Sequence, residues 1–197
     1  MKSEIIQLKN VRIIYPSLLK KNIYDGKETK YQATFIIPKS NQVIKQLQEQ
    51  MESIKEFKFD GKIPKTFSYC LKNIDDVRED NNKYSAEDYN DSFLLTAKSN
   101  YKPLVVENYQ NTNPVTGKKE QVHITDELKI KSGDYVNSFI ELIPYDKPNK
   151  GISAKLLAVQ FWQHGEAFPN RTPSFDVFID QENTQNNIFE IPDDMDF

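Results

Sequence analysis

Cysteine, glycine and histidine are scarce in this sequence of 197 residues, and each scarcity disfavours a class of protein. The single cysteine, Cys70, cannot form an internal disulfide framework. The six glycines lie singly, so no glycine-rich phosphate loop is present. His123 and His164 lie far apart and have no metal-ligand spacing with Cys70, which disfavours a zinc site. The sequence therefore predicts neither metal nor cofactor.

Long apolar runs are also missing. No segment reaches membrane-spanning length, and the N-terminus lacks the pattern of a signal peptide. We therefore expect a soluble, cytoplasmic protein that has no membrane partner. The chain is long enough for one domain with a full hydrophobic core.

Charge is unevenly distributed along the chain. The formal net charge is −3, yet residues 174–197 hold seven acids and no Lys or Arg. Residues 1–173 carry 26 basic and 22 acidic residues, a net charge of +4. Acidic blocks at a chain end are typically disordered interaction tails. The sequence predicts a mildly basic domain over 1–173 and a flexible acidic tail over 174–197.

Strand signals dominate the domain. Val11–Tyr15 and Lys30–Ile37 each stop at a proline, and two longer runs cover Tyr135–Tyr145 and Ile152–His164. Shorter strands are expected at 93–98 and 104–107, with a pairing segment at 121–125, and Asp25-Gly26 marks a turn. Many short strands without βαβ alternation favour a closed or partly closed antiparallel β-barrel.

One clear helix follows the second strand. Its apolar residues have helical spacing, and Ser40 is the expected N-cap; they are Val43, Ile44, Leu47, Met51 and Ile54. The acids and asparagines between Asp75 and Asn82 are expected to form a solvated loop.

Aromatic residues interleaved with lysine are the positive functional signal. The chain has 23 aromatic residues, ten of them Tyr, and several lie beside a basic residue, as Tyr101 does beside Lys102. Proteins that hold single-stranded nucleic acid combine a basic groove with aromatic platforms on which bases stack.

The alternation of side chains along a strand indicates which aromatic residues face outward and could stack on bases. Val136, Ser138, Ile140 and Leu142 are expected to face the barrel interior, which turns Tyr135 and Tyr145 outward. The last strand is expected to alternate between one inner face and one outer face. The inner face holds Ile152, Ala154, Leu156, Ala158, Gln160 and Trp162, and the outer face holds Lys155. Trp162 sits at the strand end, where alternation often breaks.

The order of these segments resembles phage-encoded single-stranded DNA-binding proteins with an OB-type fold. The matching segments lie within residues 5–168 and begin with Val11-Arg-Ile-Ile-Tyr-Pro-Ser-Leu18 and Lys30-Tyr-Gln-Ala-Thr-Phe-Ile-Ile-Pro-Lys39. Later segments are Ser132-Gly-Asp-Tyr-Val136, Lys150-Gly-Ile-Ser153 and Gly165-Glu166. The resemblance implies a mainly β, OB-fold-like five-stranded antiparallel β-barrel with one main helix and elaborated loops. The helix follows an early strand pair, which departs from a simple OB fold.

The resemblance also implies a non-enzymatic function in DNA replication and recombination, with slight sequence preference. The backbone of the DNA would follow Arg12, Lys20, Lys21, Lys98, Lys102, Lys147, Lys150 and Lys155. The bases would stack on Tyr15, Tyr31, Tyr101, Tyr135, Tyr145 and Trp162. The tail would recruit replication and recombination proteins through Asp193, Asp194, Asp196 and Phe197. Barrel edges and tail are both compatible with a homodimer.

Two other functions stay open at this stage. The cluster Asp75, Asp76, Glu79 and Asp80 could bind a divalent cation in a nuclease or recombination enzyme. A phage protein-interaction module without DNA contact is the third hypothesis.

Overall fold

The computed structural model describes residues 4–80, 89–108, 117, 122–166 and 168, and β-strands dominate this part of the chain. The strands are β1 Ile5–Ser17, β2 Ile23–Tyr24, β3 Lys27–Glu28, β4 Tyr31–Pro38, β5 Ser68–Tyr69, β6 Leu71–Asn73, β7 Ser92–Ser99, β8 Leu104–Val106, β9 Tyr135–Tyr145 and β10 Gly151–Gln163. The helices are α1 Val43–Phe59 and α2 Ile74–Asp80. The prediction of a mainly β fold with one main helix is confirmed.

Five strands close into a ring in the order β1, β4, β7, β10, β9 and back to β1. The four pairs β1–β4, β4–β7, β9–β10 and β1–β9 are antiparallel. The ring closes through a parallel pairing of β10 with β7, at Ala154 with Ala97 and Lys155 with Lys98. The OB-like barrel of five strands is confirmed, and its closing pair is parallel.

The barrel interior is filled by alternate side chains of the ring strands. On β9 the predicted inner residues Val136, Ser138, Ile140 and Leu142 are all buried. The one polar member of this set is satisfied, because the Ser138 hydroxyl donates a hydrogen bond of 2.8 Å to the carbonyl of Ala158. Small barrels are packed with side chains in this way and have no channel.

Strand β10 departs from the uninterrupted alternation that its sequence predicts. The predicted inner face is buried as far as Leu156, but the register against β9 shifts between Leu156 and Ala158. Beyond this bulge Val159 and Phe161 face the core, and Trp162 is 41% exposed. The prediction is wrong beyond Leu156 because one extra residue in a strand exchanges its two faces.

Helix α1 packs its apolar face into the barrel core, where Leu47 and Met51 join the same cluster as Ile140. The helix begins at Val43, and the side chain of Asn41 accepts the Val43 N–H at 3.0 Å. The prediction that Ser40 caps the helix is therefore wrong, because the side chain that accepts the Val43 N–H is that of Asn41. Neither helix of the described residues has the length and apolar character needed to cross a membrane.

Helix α2 takes the place of the solvated loop that is expected from the sequence over Asp75–Asp80. The last two residues of that expected loop, Asn81 and Asn82, lie outside the described residues. Ile74 is fully buried and Val77 packs beside it. The two residues are three positions apart, which places them on one face of a helix. The side chain of Asn73 accepts the N–H of Asp75 at 3.3 Å, as an N-cap does. Two acids in the first turn favour the same helix through its dipole. The loop prediction is wrong over these residues because Ile74 and Val77 give the acidic segment an apolar face that packs against the sheet.

Removal of one core side chain should test the barrel packing. Because Ile140 is fully buried on β9, we expect Ile140→Ala to lower the free energy of unfolding by about 2–5 kcal/mol. Urea unfolding followed by circular dichroism measures the change. Phe57→Ala is the control, since Phe57 is 61% exposed on α1. Equal losses in both variants would contradict this account of the core.

Candidate nucleic-acid interface

A cavity of about 830 Å³ opens where β7, β10 and the end of β9 meet the short strands β5 and β6. We call it the lysine–tyrosine groove. Its lining includes five lysines and three tyrosines. These are Lys30, Lys72, Lys98, Lys147, Lys155, Tyr69, Tyr101 and Tyr145.

Strand alternation places the charged groups of the groove. On β7, Leu95 and Ala97 are buried, so Lys98 lies on the outer face. The parallel closure then sets Lys98 directly beside Lys155 of β10. Like charges on directly opposed residues of neighbouring strands repel one another. An anion between the two ammonium groups would remove this repulsion, which makes the closure of the barrel a favourable place for a phosphate.

The groove carries little compensating negative charge. No Asp or Glu is present among the described residues that line it. Lys155 has an ion pair at 3.8 Å with Glu141, which lies outside the lining. Within the described part of the chain, the other four lining lysines form no ion pair. The groove is therefore a site of concentrated positive potential, which attracts polyanions.

Aromatic rings stand at the margins of the groove. Tyr101 is 78% exposed, and its backbone N–H is held at 3.1 Å by the hydroxyl of Ser99. Tyr69 is half-buried, with its ring centroid 4.9 Å from that of Phe67. Tyr145 is half-buried at the end of β9. Rings that are fixed at one side and open at the other suit base stacking.

The remaining lining of the groove is neutral and partly apolar. Thr34 and Thr96 are opposed on β4 and β7, and their hydroxyl oxygens lie 3.0 Å apart. Leu94, Val77 and Cys70 also belong to the lining. Neutral surface between lysines suits a ligand with alternating phosphates and flat apolar rings.

Five of the sequence-predicted residues are brought together here, namely Lys98, Tyr101, Tyr145, Lys147 and Lys155. Three more lie nearby: Lys102 follows Tyr101, Tyr31 pairs with Ser99, and Lys150 precedes β10. The Lys150 ammonium lies 5.7 Å from the ring centroid of Phe59. Contact of these residues with DNA stays a prediction.

Arg12 lies elsewhere and holds structure together. Its guanidinium donates to the carbonyls of Glu166 at 2.6 Å and Gly133 at 3.3 Å. It also lies 4.0 Å from the ring centroid of Phe168 and 5.9 Å from that of Tyr135. These contacts tie β1 to the segment that precedes β9 and to the segment that follows β10, a role that the sequence prediction missed.

Tyr15, Trp162 and the lysine pair after β1 are also outside the groove lining. Tyr15 has a positive φ of 50°, and its N–H donates to the Ser132 hydroxyl at 3.0 Å. Lys20 and Lys21 line a second cavity of about 420 Å³. There Lys20 pairs with Glu127 at 2.8 Å, and this hydrogen bond raises the pKa of Lys20.

The tail residues Asp193, Asp194, Asp196 and Phe197 lie outside the described residues. Of the acids considered for a nuclease, Asp75 is paired with Lys39 at 3.0 Å. This hydrogen bond is the main cause of a raised Lys39 pKa. The described residues contain no group of three His, Cys, Asp or Glu side chains arranged to hold a metal.

Three groove residues were missed from the sequence: Lys30, Lys72 and Tyr69. Lys30 stands beside Tyr31 and so belongs to the neighbouring basic and aromatic residues of the sequence, but only Tyr31 was predicted as a site residue. Tyr69 and Lys72 lie on strands of two and three residues, which are too short to show a periodic pattern.

Cys70 provides a test of how closed the groove wall is. Burial raises the pKa of its thiol from 9.0 to about 11. Because the thiolate is the reactive form, alkylation of the folded protein by iodoacetamide at pH 8 should be about 100-fold slower than for an ordinary thiol. The rate should recover in concentrated guanidinium chloride. Fast alkylation of the folded protein would show that the wall is open.

Comparisons with known proteins identify the family of this chain. The family described as "Enterobacter phage Enc34, ssDNA-binding protein" matches residues 4–188. Protein p50 of Acyrthosiphon pisum secondary endosymbiont phage 1 is 31% identical over 174 residues, which are 83% of this chain and 85% of p50.

Two solved structures show the same fold. The single-stranded DNA-binding protein from bacteriophage Enc34, in complex with ssDNA, has a TM-score of 0.64 and 25% identity, over 84% of this chain and 89% of that one. The single-stranded DNA-binding protein gp2.5 of bacteriophage T7 has a TM-score of 0.51 and 12% identity, over 88% of this chain and 99% of that one. The chain belongs to the family of Enc34-type phage single-stranded DNA-binding proteins.

Proposed function

We propose that this protein binds single-stranded DNA in the lysine–tyrosine groove, with slight sequence preference and without catalysis. The observation that carries the proposal is the convergence of five lysines and three tyrosines on one cavity whose described lining holds no carboxylate. Lysines bind phosphates of any sequence, and every base has a face that can stack on an aromatic ring.

The groove suits a single strand better than a duplex. In a duplex the base faces are covered by their neighbours, so Tyr101 and Tyr145 would find nothing to stack on. In a single strand the bases can turn toward the tyrosines while the phosphates follow Lys98, Lys147 and Lys155.

The wider role proposed is protection of single-stranded DNA during phage replication and recombination. Residues 1–173 form the binding domain, and residues 174–197 form an acidic tail that recruits partner proteins. Phe197 and the neighbouring aspartates supply an aromatic group and negative charge for a cationic pocket of a partner. The protein would act in the cytoplasm of the host cell.

Tyr101→Ala tests the stacking platform. The side chain is 78% exposed, so its removal should spare the fold but weaken binding of labelled oligothymidylate by about 1–3 kcal/mol. Fluorescence anisotropy measures the dissociation constant. Phe57→Ala removes an exposed aromatic side chain outside the groove and should leave the constant unchanged.

The same titration tests the alternatives. Preference of the unaltered protein for duplex over single strand would contradict the proposal. Cleavage of labelled DNA after addition of magnesium or manganese would support the enzyme hypothesis.

Lys98→Gln tests the phosphate contact at the barrel closure. Each neutralised phosphate contributes about −0.7 to the slope of log K against log salt concentration for a single strand. The variant should bind less tightly at low salt, with a slope shallower by about 0.7. Lys45→Gln is the control, because Lys45 pairs with Glu49 on α1 and lies outside the groove lining. An unchanged slope in the Lys98 variant would exclude its phosphate contact.

Truncation after Asn187 tests the acidic tail. The removed segment carries four acids and no base, so it should compete with DNA for the lysines of the groove. We expect the truncated chain to bind oligothymidylate more tightly, most clearly at low salt where charges are least screened. Unchanged or weaker binding would leave the tail with partner docking as its remaining role.

A further inference from the structure

Gly151 begins β10 directly opposite Tyr145, the last residue of β9. A Cβ atom built on Gly151 would lie 2.5 Å from the hydroxyl oxygen of Tyr145 and 2.6 Å from its Cζ. It would also lie 2.6 Å from the carbonyl oxygen of Ser68 on β5. Real Cβ atoms do not approach other heavy atoms so closely. The space above Gly151 is therefore filled by the phenol end of Tyr145 and by the backbone of β5.

Backbone conformation does not explain glycine at this position. The positive-φ glycines of the described chain are Gly26, Gly61, Gly117 and Gly133, and Gly151 is not among them. Any residue could adopt its backbone angles, so the requirement is for space. An aromatic side chain that covers a glycine on the opposed strand is a known stabilising pair in β-sheets.

The close approach fixes where the tyrosine stands. Tyr145 lines the groove together with Lys147 and Lys155. Any side chain on Gly151 would push the phenol away from β10 and into the space that a bound strand would use. The parallel pairing of Gly151 with Ser68 brings β5, and with it Tyr69, to the same edge of the groove.

We infer that Gly151 is a positioning residue for DNA binding, because it seats Tyr145 against β10 as a stacking platform beside Lys147 and Lys155. The inference rests on the proposed function and adds to it a residue that touches no DNA. The affinity for DNA would then depend on the lack of a side chain at residue 151, which leaves room for the ring of Tyr145.

A double-mutant cycle separates positioning from general damage to the fold. Gly151→Ala should weaken binding of oligothymidylate about five- to tenfold, as the loss of one base–aromatic stack does. Tyr145→Ala should weaken it to a similar degree. In the Tyr145→Ala background the glycine substitution should cost clearly less affinity than it does alone, because no phenol remains to be displaced and only the contact with the Ser68 carbonyl is left. Additive losses would overturn the inference.

Gly61→Ala is the matched control. Its φ of 67° makes alanine unfavourable there, while the three heavy atoms nearest to the added Cβ all belong to the flexible side chain of Glu56, at 3.3–3.6 Å. It should lower the melting temperature and leave the dissociation constant unchanged, provided that binding is measured well below that temperature. If this control loses affinity as Gly151→Ala does, destabilisation explains both results and the inference fails.

A measurement on the unaltered protein covers the case in which Gly151→Ala does not fold. The ring of Tyr145 should shift the Hα resonances of Gly151 upfield, and Tyr145→Leu should abolish the shift. With saturating oligothymidylate the shift should persist while the ring resonances of Tyr145 move. Loss of the shift on binding would show that the ring leaves Gly151, which overturns the inference. Absence of binding by the unaltered protein would instead refute the proposed function.

Discussion

Strand β10 has two hydrogen-bonding edges, and the way in which they are shared governs the rest of the structure. One edge pairs with β9 along nearly the whole strand. The other edge is divided among β5 at Gly151–Ile152, β7 at Ala154–Lys155 and β8 at Ala158–Gln160. Backbone groups in a packed sheet need partners, so three separate parts of the chain are drawn to one edge. The lysine–tyrosine groove lies at the first two of these junctions.

The meeting of these strands at one edge also brings positively charged side chains together. Lys98 and Lys155 are neighbours because β7 and β10 must pair to close the ring. Their repulsion is only partly offset, by the Glu141 carboxylate 3.8 Å from Lys155. A polyanion would relieve it, so closure of the ring creates the charge pair to which we propose that DNA is attracted. The neutral surface of Thr34, Thr96 and their neighbours leaves room for bases between the charged groups.

The opposite end of β10 has a different role. The bulge after Leu156 changes which side chains face the core, and Trp162 ends outside the groove lining. There Arg12 ties the carbonyls of Gly133 and Glu166 to β1. A basic residue and an aromatic residue that lie near each other in the fold therefore have two different uses. At Lys98 and Tyr101 the pair faces a cavity, whereas Arg12 and Tyr135 contact each other and the backbone.

The sequence by itself determined the long strands of the barrel, the helix α1 and the inner face of β9, because each depends on a local period that burial enforces. It also determined the charge contrast between residues 1–173 and 174–197, and five of the eight groove lysines and tyrosines, which lie on long strands or beside turns. Only the tertiary structure decided that β7 and β10 pair in parallel, that Tyr69 and Lys72 join the groove, and that Gly151 lies under Tyr145. These features arise from contacts between residues far apart in the chain, and no local pattern encodes such contacts.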